Sequence, residues 1–156
     1  MPYSFAAGDE VGQTGFKFEQ GSTRFFAFTL ILTNEPHMIR EGIESLRRDL
    51  RLSPATEFKF HSTPRPSRQV FLERAATWPL VARILYVDKQ LLPVSFHKFK
   101  SWECYAFFVA ELIDRVPLGE LGNTTLVLDE FGSQKLTLQV VRKELRRRGL
   151  WGSQIK

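Results

Sequence analysis

The spacing of hydrophobic positions changes several times along the chain, and each change marks an element. Arg24–Thr33 (RFFAFTLILT) is an aromatic and β-branched run that predicts a buried central strand. Tyr3–Asp9 predicts a weaker strand before it, because Ala6, Ala7 and Gly8 have poor β-propensity. Gly12 and Gly15 mark the turn between the two, so the chain should open with an antiparallel hairpin. The period then becomes helical. Asn34 is placed as N-cap with Pro36 in the first turn, and Ile39, Ile43, Leu46 and Leu50 recur with Arg40, Glu44, Arg47 and Arg48 between them. That helix should stop near Leu52, ahead of Pro54.

Glu57–His61 (EFKFH) alternates strictly, which puts Glu57, Lys59 and His61 on one face and the two phenylalanines on the other. Thr63-Pro64-Arg65-Pro66 breaks the chain, and Ser67 can cap a short helix through Thr77. Leu80–Asp88 (LVARILYVD) predicts a third strand. Phe99–Val116 predicts a helix with Trp102, Ala106, Val109 and Ile113 along one stripe. Asn123–Asp129 (NTTLVLD) reads as a buried strand ending in a carboxylate. Gly132-Ser133 then leads into a last helix with Leu136, Val140, Val141 and Leu145 on its apolar face. An early hairpin followed by strand–helix units predicts an α/β or α+β fold with a mixed sheet flanked by helices. No repeat or Gly/Ser linker divides residues 1–156, which read as a single domain.

Composition narrows the class. The 43% hydrophobic and 25% charged content is that of a globular chain. The lone cysteine, Cys104, cannot form an intramolecular disulfide, which points to a reducing, cytoplasmic location. The longest apolar stretch, Phe25–Leu32, is far short of the roughly 20 residues a membrane span needs, and no basic segment precedes Asp9 and Glu10 to suggest a secretory signal. The net charge of +5 is concentrated at one end. Residues 131–156 carry seven basic side chains against the single carboxylate Glu144. Such a segment suits a phosphate-binding surface and equally a solvated helix face.

Three acidic positions stand out. Asp9 ends the first strand with Glu10 after it, Glu57 heads the alternating segment, and Asp129 closes a buried strand with Glu130 beside it. Carboxylates converging from different strands make an oxygen-rich site suited to Mg²⁺ or Mn²⁺. Asp and Glu at strand ends also serve simply to cap turns. His61 shares the Glu57 face and is read as a surface histidine ahead of a general base or metal ligand. His37, His61 and His97 have no zinc-site spacing. Cys104, within an aromatic helix, reads as buried structure. Neither a G-x-S-x-G nor a phosphate-binding G-x-x-x-x-G-K-[ST] motif occurs. Phe96, Phe99, Trp102, Tyr105, Phe107 and Phe108 form a run that suits either base stacking or a core.

The segment Gly8-Asp9-Glu10-Val11-Gly12-Gln13-Thr14-Gly15-Phe16-Lys17-Phe18 resembles the opening of the prokaryotic domain of unknown function 3800 family, which usually begins Tyr-Ile-Asp-Glu-Ser-Gly-Asp-Thr-Gly-Phe. The likeness continues in family order through Phe25–Leu32, Leu46–Leu52, Glu57-Phe58-Lys59-Phe60, Tyr86-Val87-Asp88-Lys89 and Leu128-Asp129-Glu130-Phe131-Gly132-Ser133 with its basic helix. The resemblance implies an RNase H-like fold with a nuclease site. Carried over residue by residue, Asp9, Glu57 and Asp129 become the catalytic, metal-binding carboxylates for Mg or Mn. The resemblance further implies that Asp9 and Asp129 meet on adjacent strands, with Glu57 approaching from a neighbouring segment. Lys59 offsets charge or contacts a phosphate. Arg142, Lys143, Arg146, Arg147 and Arg148 supply salt-sensitive contacts to nucleic acid.

The sequence departs from the family pattern in three places. Val11 replaces its serine, Gln13 replaces its second aspartate, and no late Leu-Ala-Asp segment follows the basic helix before Lys156. Two expectations follow. One is a metal-dependent nuclease hydrolysing phosphodiester bonds. The other is a catalytically inactive RNase H-like module that binds nucleic acid or a protein. Divalent-ion dependence separates them.

Overall fold

The computed structural model describes residues 1–117, 119–129 and 134–151, apart from the side chains of residues 134 and 135. Glu130 and the Gly132-Ser133 lead expected before the last helix lie outside the described residues. The chain divides into two compact units, Met1–Leu32 with Val81–Lys156, and Thr33–Leu80. Among the described residues no helix is long and apolar enough to cross a membrane.

The first unit is built on a four-stranded mixed sheet in the order β3-β2-β1-β4. Its strands are β1 (Tyr3–Val11), β2 (Phe25–Thr33), β3 (Val81–Asp88) and β4 (Leu121–Leu128). β1 and β2 are the expected early antiparallel pair. β2 and β3 are antiparallel, with Phe25 opposite Asp88 and Leu32 opposite Val81. β4 runs parallel to β1, with Phe5 beside Thr125 and Gly8 beside Leu128.

Strand periodicity decides what the sheet buries. Phe26, Phe28, Leu30 and Leu32 alternate along β2 and are all fully buried. They pack with α3 (Ser101–Asp114), whose Cys104, Tyr105, Phe108, Val109 and Ile113 share the same core. Phe26 lies 5.1 Å from Phe108, and Phe28 meets Tyr105 edge-on at 5.8 Å. The small residues that weaken β1 as a strand let its neighbours close in. A Cβ on Gly8 would stand 2.5 Å from the Phe28 ring, so only glycine fits there without repacking. α4 (Gln134–Arg147) packs on α3 and contributes Val141 and Leu145 to the core.

The second unit holds α1 (Pro36–Asp49) and α2 (Arg65–Ala75). The observed caps differ from those expected. Glu35, not Asn34, occupies the N-cap of α1, and Pro64 precedes α2, leaving Ser67 inside its first turn. Proline fixes the local φ and needs no amide donor, so the chain enters each helix through a proline (Pro36, Pro66) rather than a hydroxyl cap. The alternating Glu57–His61 segment is not a strand. It is closed locally by the Lys59 N–H donating to Glu57 O at 3.1 Å and the Thr63 N–H donating to Lys59 O at 2.8 Å. Its phenylalanines therefore do not share one buried face: Phe58 is half-buried and Phe60 is 74% exposed.

Candidate functional site

Three strands place chemistry at the same end of the sheet. β1 and β4 are parallel; β4 ends at Leu128, opposite Gly8, whereas β1 runs past the expected end at Asp9 to Val11, and this register sets Asp9 beside Asp129. The Asp129 N–H donates to Gly8 O at 3.3 Å and continues that pairing one residue past the strand. Ala6 and Gly8 are buried under the helices, so alternation turns Asp9 to the opposite, open face, where it is exposed. Asp129 is exposed too.

Glu10 follows the same alternation back towards the covered face. Its N–H donates to Asp9 Oδ1 at 2.8 Å, and its Oε2 is buried without a hydrogen-bond partner among the described residues. Burial, then the neighbouring charges of Asp9 and Asp129, push the Glu10 carboxyl above its ordinary range. The same three carboxylates, together with burial as the larger cause, raise the Tyr105 hydroxyl. Sequence reasoning named Glu10 only as a neighbour of Asp9. The strict alternation of a strand was the signal that it faces the other way.

A raised carboxyl pKa favours the neutral form in the fold, so Glu10 supports stability below the unfolded value of about 4.3 and loses that support as pH rises. In metal-free buffer at pH 7, Glu10→Gln is therefore expected to stabilise the chain by about 1 kcal/mol, or roughly 2–4 °C in Tm. The gain should shrink as pH falls towards 4. Thermal melts of both proteins across that range check it.

The loop after β1 is fastened from an unexpected quarter. Lys89 is fully buried, and its ammonium donates to Gln13 O at 2.6 Å and Gly15 O at 2.5 Å. The rings of Phe16 and Phe18 lie 5.7 Å and 5.3 Å from Nζ. Burial lowers the lysine pKa, with a smaller opposing influence from Cys104. Thr23 closes the other side of the loop, accepting from the Gln13 N–H at 3.0 Å and donating to Phe25 O at 2.9 Å. At the outer strand, Arg24 Nη2 pairs with Asp88 Oδ2 at 2.5 Å, and that contact above all holds the Asp88 carboxyl below its usual range. The loop carrying Gln13 is thus tied to β2 and β3.

Glu57 belongs to the second unit, where it is exposed and pairs with Lys59 Nζ at 3.0 Å. His61 is exposed, and His97 stacks on Phe16 at 4.6 Å. Cys104 is buried, and burial pushes its thiol up to about 11. The aromatic run on α3 is largely core, with Tyr105 and Phe108 buried. Among the described residues, no three His, Cys, Asp or Glu side chains form a ready-made metal-holding cluster.

The basic helix is not one uniform surface. Arg142, Lys143 and Arg146 are exposed, Arg142 with its guanidinium 5.2 Å over Trp151. Arg147 pairs with Glu144 at 2.7 Å. Arg148 is only 11% exposed and ties α4 to α3, reaching Glu111 at 2.9 Å and Glu144 at 3.0 Å over the Phe107 ring. Arg148→Ala is expected to cost about 1–2 kcal/mol by removing the buried guanidinium that links Glu111 to Glu144, although each carboxylate keeps an exposed arginine partner, Arg115 and Arg147. Urea or thermal unfolding should show that loss, whereas Arg146→Ala leaves stability within about 0.5 kcal/mol.

Compared with protein-family models, curated proteins and solved structures, the chain matches none.

Proposed function

We propose that the chain is a metal-dependent phosphodiester hydrolase whose cation is held at the carboxyl ends of β1 and β4 by Asp9 and Asp129. The observation that carries this reading is the parallel register that sets those two carboxylates side by side on the open face. Mg²⁺ is commonly bound through only one or two carboxylates, with waters and substrate phosphates completing its shell, so two strand-end aspartates suit it or Mn²⁺. The mutual repulsion of Asp9, Glu10 and Asp129 is relieved by a cation held between Asp9 and Asp129 on the open face. A bound ion supplies charge neutralisation at the phosphate and a readily deprotonated water.

The chain's own residues bind and position. Asp9 and Asp129 hold the ion, and Glu10 keeps negative charge behind them. Lys89 and Thr23 fix the loop beside them. Arg142, Lys143 and Arg146 provide exposed phosphate contacts on α4, with Glu57 and Lys59 as further candidates on the second unit. The family resemblance of Gly8–Phe18 and Leu128–Ser133, with its RNase H-like implication, points the same way. A second reading, a nucleic-acid-binding module without catalysis, is favoured by the neutral Gln13 in that loop.

Calorimetric titration of Mn²⁺ into the purified chain tests the proposal, followed by incubation with labelled single- and double-stranded DNA and RNA. Saturable binding together with divalent-dependent cleavage is the expected result. A folded protein that takes up no Mn²⁺ overturns it and leaves the binding module.

A further inference from the structure

The second unit presents an aromatic ring to water on a rigid mount. Phe60 is 74% exposed, although its backbone and ring are both held by a side chain of α2. The Arg68 guanidinium lies 4.3 Å from the ring centroid, and Arg68 Nη1 donates to Phe60 O at 2.9 Å. One residue of α2 therefore holds both the backbone and the ring of Phe60. The support continues inward. Phe58 packs on Phe71 at 5.0 Å, and Phe71 meets Trp78 edge-on at 5.8 Å. Arg74 ties α2 to Asp49 of α1 at 3.1 Å. A ring held this firmly, yet left in water, adds little to the stability of the fold.

Its surroundings are cationic. Two adjoining hollows share Phe60, Arg68 and Leu72 as walls, and Lys59 lines one and Arg65 the other. Leu72 is itself 58% exposed. Two acidic residues lie near this rim: Glu73 accepts from Gln69 at 3.0 Å, and the exposed Glu57 pairs with Lys59 at 3.0 Å, leaving Arg65 and Arg68 as the cations without a carboxylate partner among the described residues. An exposed aromatic with positive charge on either side is the arrangement by which single-stranded nucleic acids are held, bases stacking on the ring and phosphates meeting the cations. A duplex keeps its base faces inside the helix and offers only phosphates. An acidic peptide matches the charge without needing the ring.

We propose that Phe60, with Arg68 behind it and Lys59 and Arg65 at its sides, is a stacking site for single-stranded nucleic acid on residues 33–80. This goes beyond the proposed hydrolase. It assigns strandedness and a second contact surface, and it does not depend on a cation.

The test is fluorescence anisotropy with a labelled single-stranded dT oligonucleotide and a duplex of equal length, in EDTA so that the outcome is independent of metal binding. Phe60→Ala is expected to weaken single-strand binding about tenfold, from the loss of one stacked base, while duplex affinity changes less than about twofold. Phe60→Trp should restore or exceed wild-type affinity. Arg65→Ala should flatten the salt dependence by about one counterion. The ring is exposed, so Phe60→Ala should melt with the wild type, and the melt is run alongside. Unchanged single-strand affinity in Phe60→Ala overturns the proposal. So does an equal loss for duplex, or binding of poly-glutamate in place of the oligonucleotide. Single-strand binding that needs Phe60 stands even if Mn²⁺ does not bind, which separates this outcome from the fate of the hydrolase reading.

Discussion

Asp129→Asn is expected to abolish divalent-dependent cleavage and to weaken Mn²⁺ binding by at least about 100-fold, roughly 2.7 kcal/mol, while the protein remains folded. The carboxylate is exposed at the end of β4, and the hydrogen bond that seats residue 129 against β1 uses its backbone N–H, which asparagine keeps. The substitution removes the charge while keeping the side chain's size and that backbone hydrogen bond. A neutral amide is a poorer ligand for a hard ion than a carboxylate, and only Asp9 would then face the cation directly. Relieving repulsion at Glu10 should even raise Tm slightly, because Asp129 is one of the charges that disfavour its ionised form. Calorimetry with Mn²⁺ and a melt on the same samples separate the two effects. Retained Mn²⁺ affinity in a folded variant removes Asp129 from the site.

The largest loss of stability is expected at Lys89. Lys89→Ala leaves two carbonyls, Gln13 O and Gly15 O, without their donor and opens a cavity between Phe16 and Phe18. Together these should cost about 3–4 kcal/mol, or on the order of 10 °C in Tm. Lys89→Met fills most of the space but supplies no donor, and should cost about 2 kcal/mol. The two variants therefore divide packing from hydrogen bonding. The pH dependence carries a further signature. Burial depresses the lysine pKa, so the unfolded chain binds the extra proton, and stability from this group grows as pH rises towards the unfolded value of about 10.4. Wild type should gain on Lys89→Met as pH rises towards about 10.4, and a flat difference would argue that the ammonium is not held as described.

Lys89 also shows where sequence reasoning stops. In the string Tyr-Val-Asp-Lys it looks like an ordinary turn lysine after a strand, and nothing local says that the loop beginning at Gln13 will close over it. The strands themselves were readable, because Phe26, Phe28, Leu30 and Leu32 declare a period of two that tertiary packing reinforces. The Leu126–Asp129 run was legible as a strand closing on a carboxylate, although β4 ends at Leu128 and is only partly buried, with Val127 48% exposed. The EFKFH segment misled for a physical reason. Five alternating residues make a strand only if a neighbouring strand supplies hydrogen bonds; here Glu57 O accepts from Lys59, Lys59 O from Thr63 and Phe60 O from the Arg68 side chain instead. The basic helix was legible as charge but not as function, since partner carboxylates such as Glu111 come from α3, more than thirty residues earlier in the chain.

The parallel pairing of β1 with β4 has a consequence for biogenesis. Gly8 and Leu128 are neighbours in the sheet but 120 positions apart in the chain. Closing so large a loop is slow relative to forming local helices and hairpins. The hairpin of β1 and β2 can assemble early during synthesis, yet Asp9 acquires its companion only after Asp129 has been made and β4 has docked. Until β4 has been made and docked, a nascent polypeptide therefore lacks the Asp9–Asp129 pairing on which the proposed cation site depends.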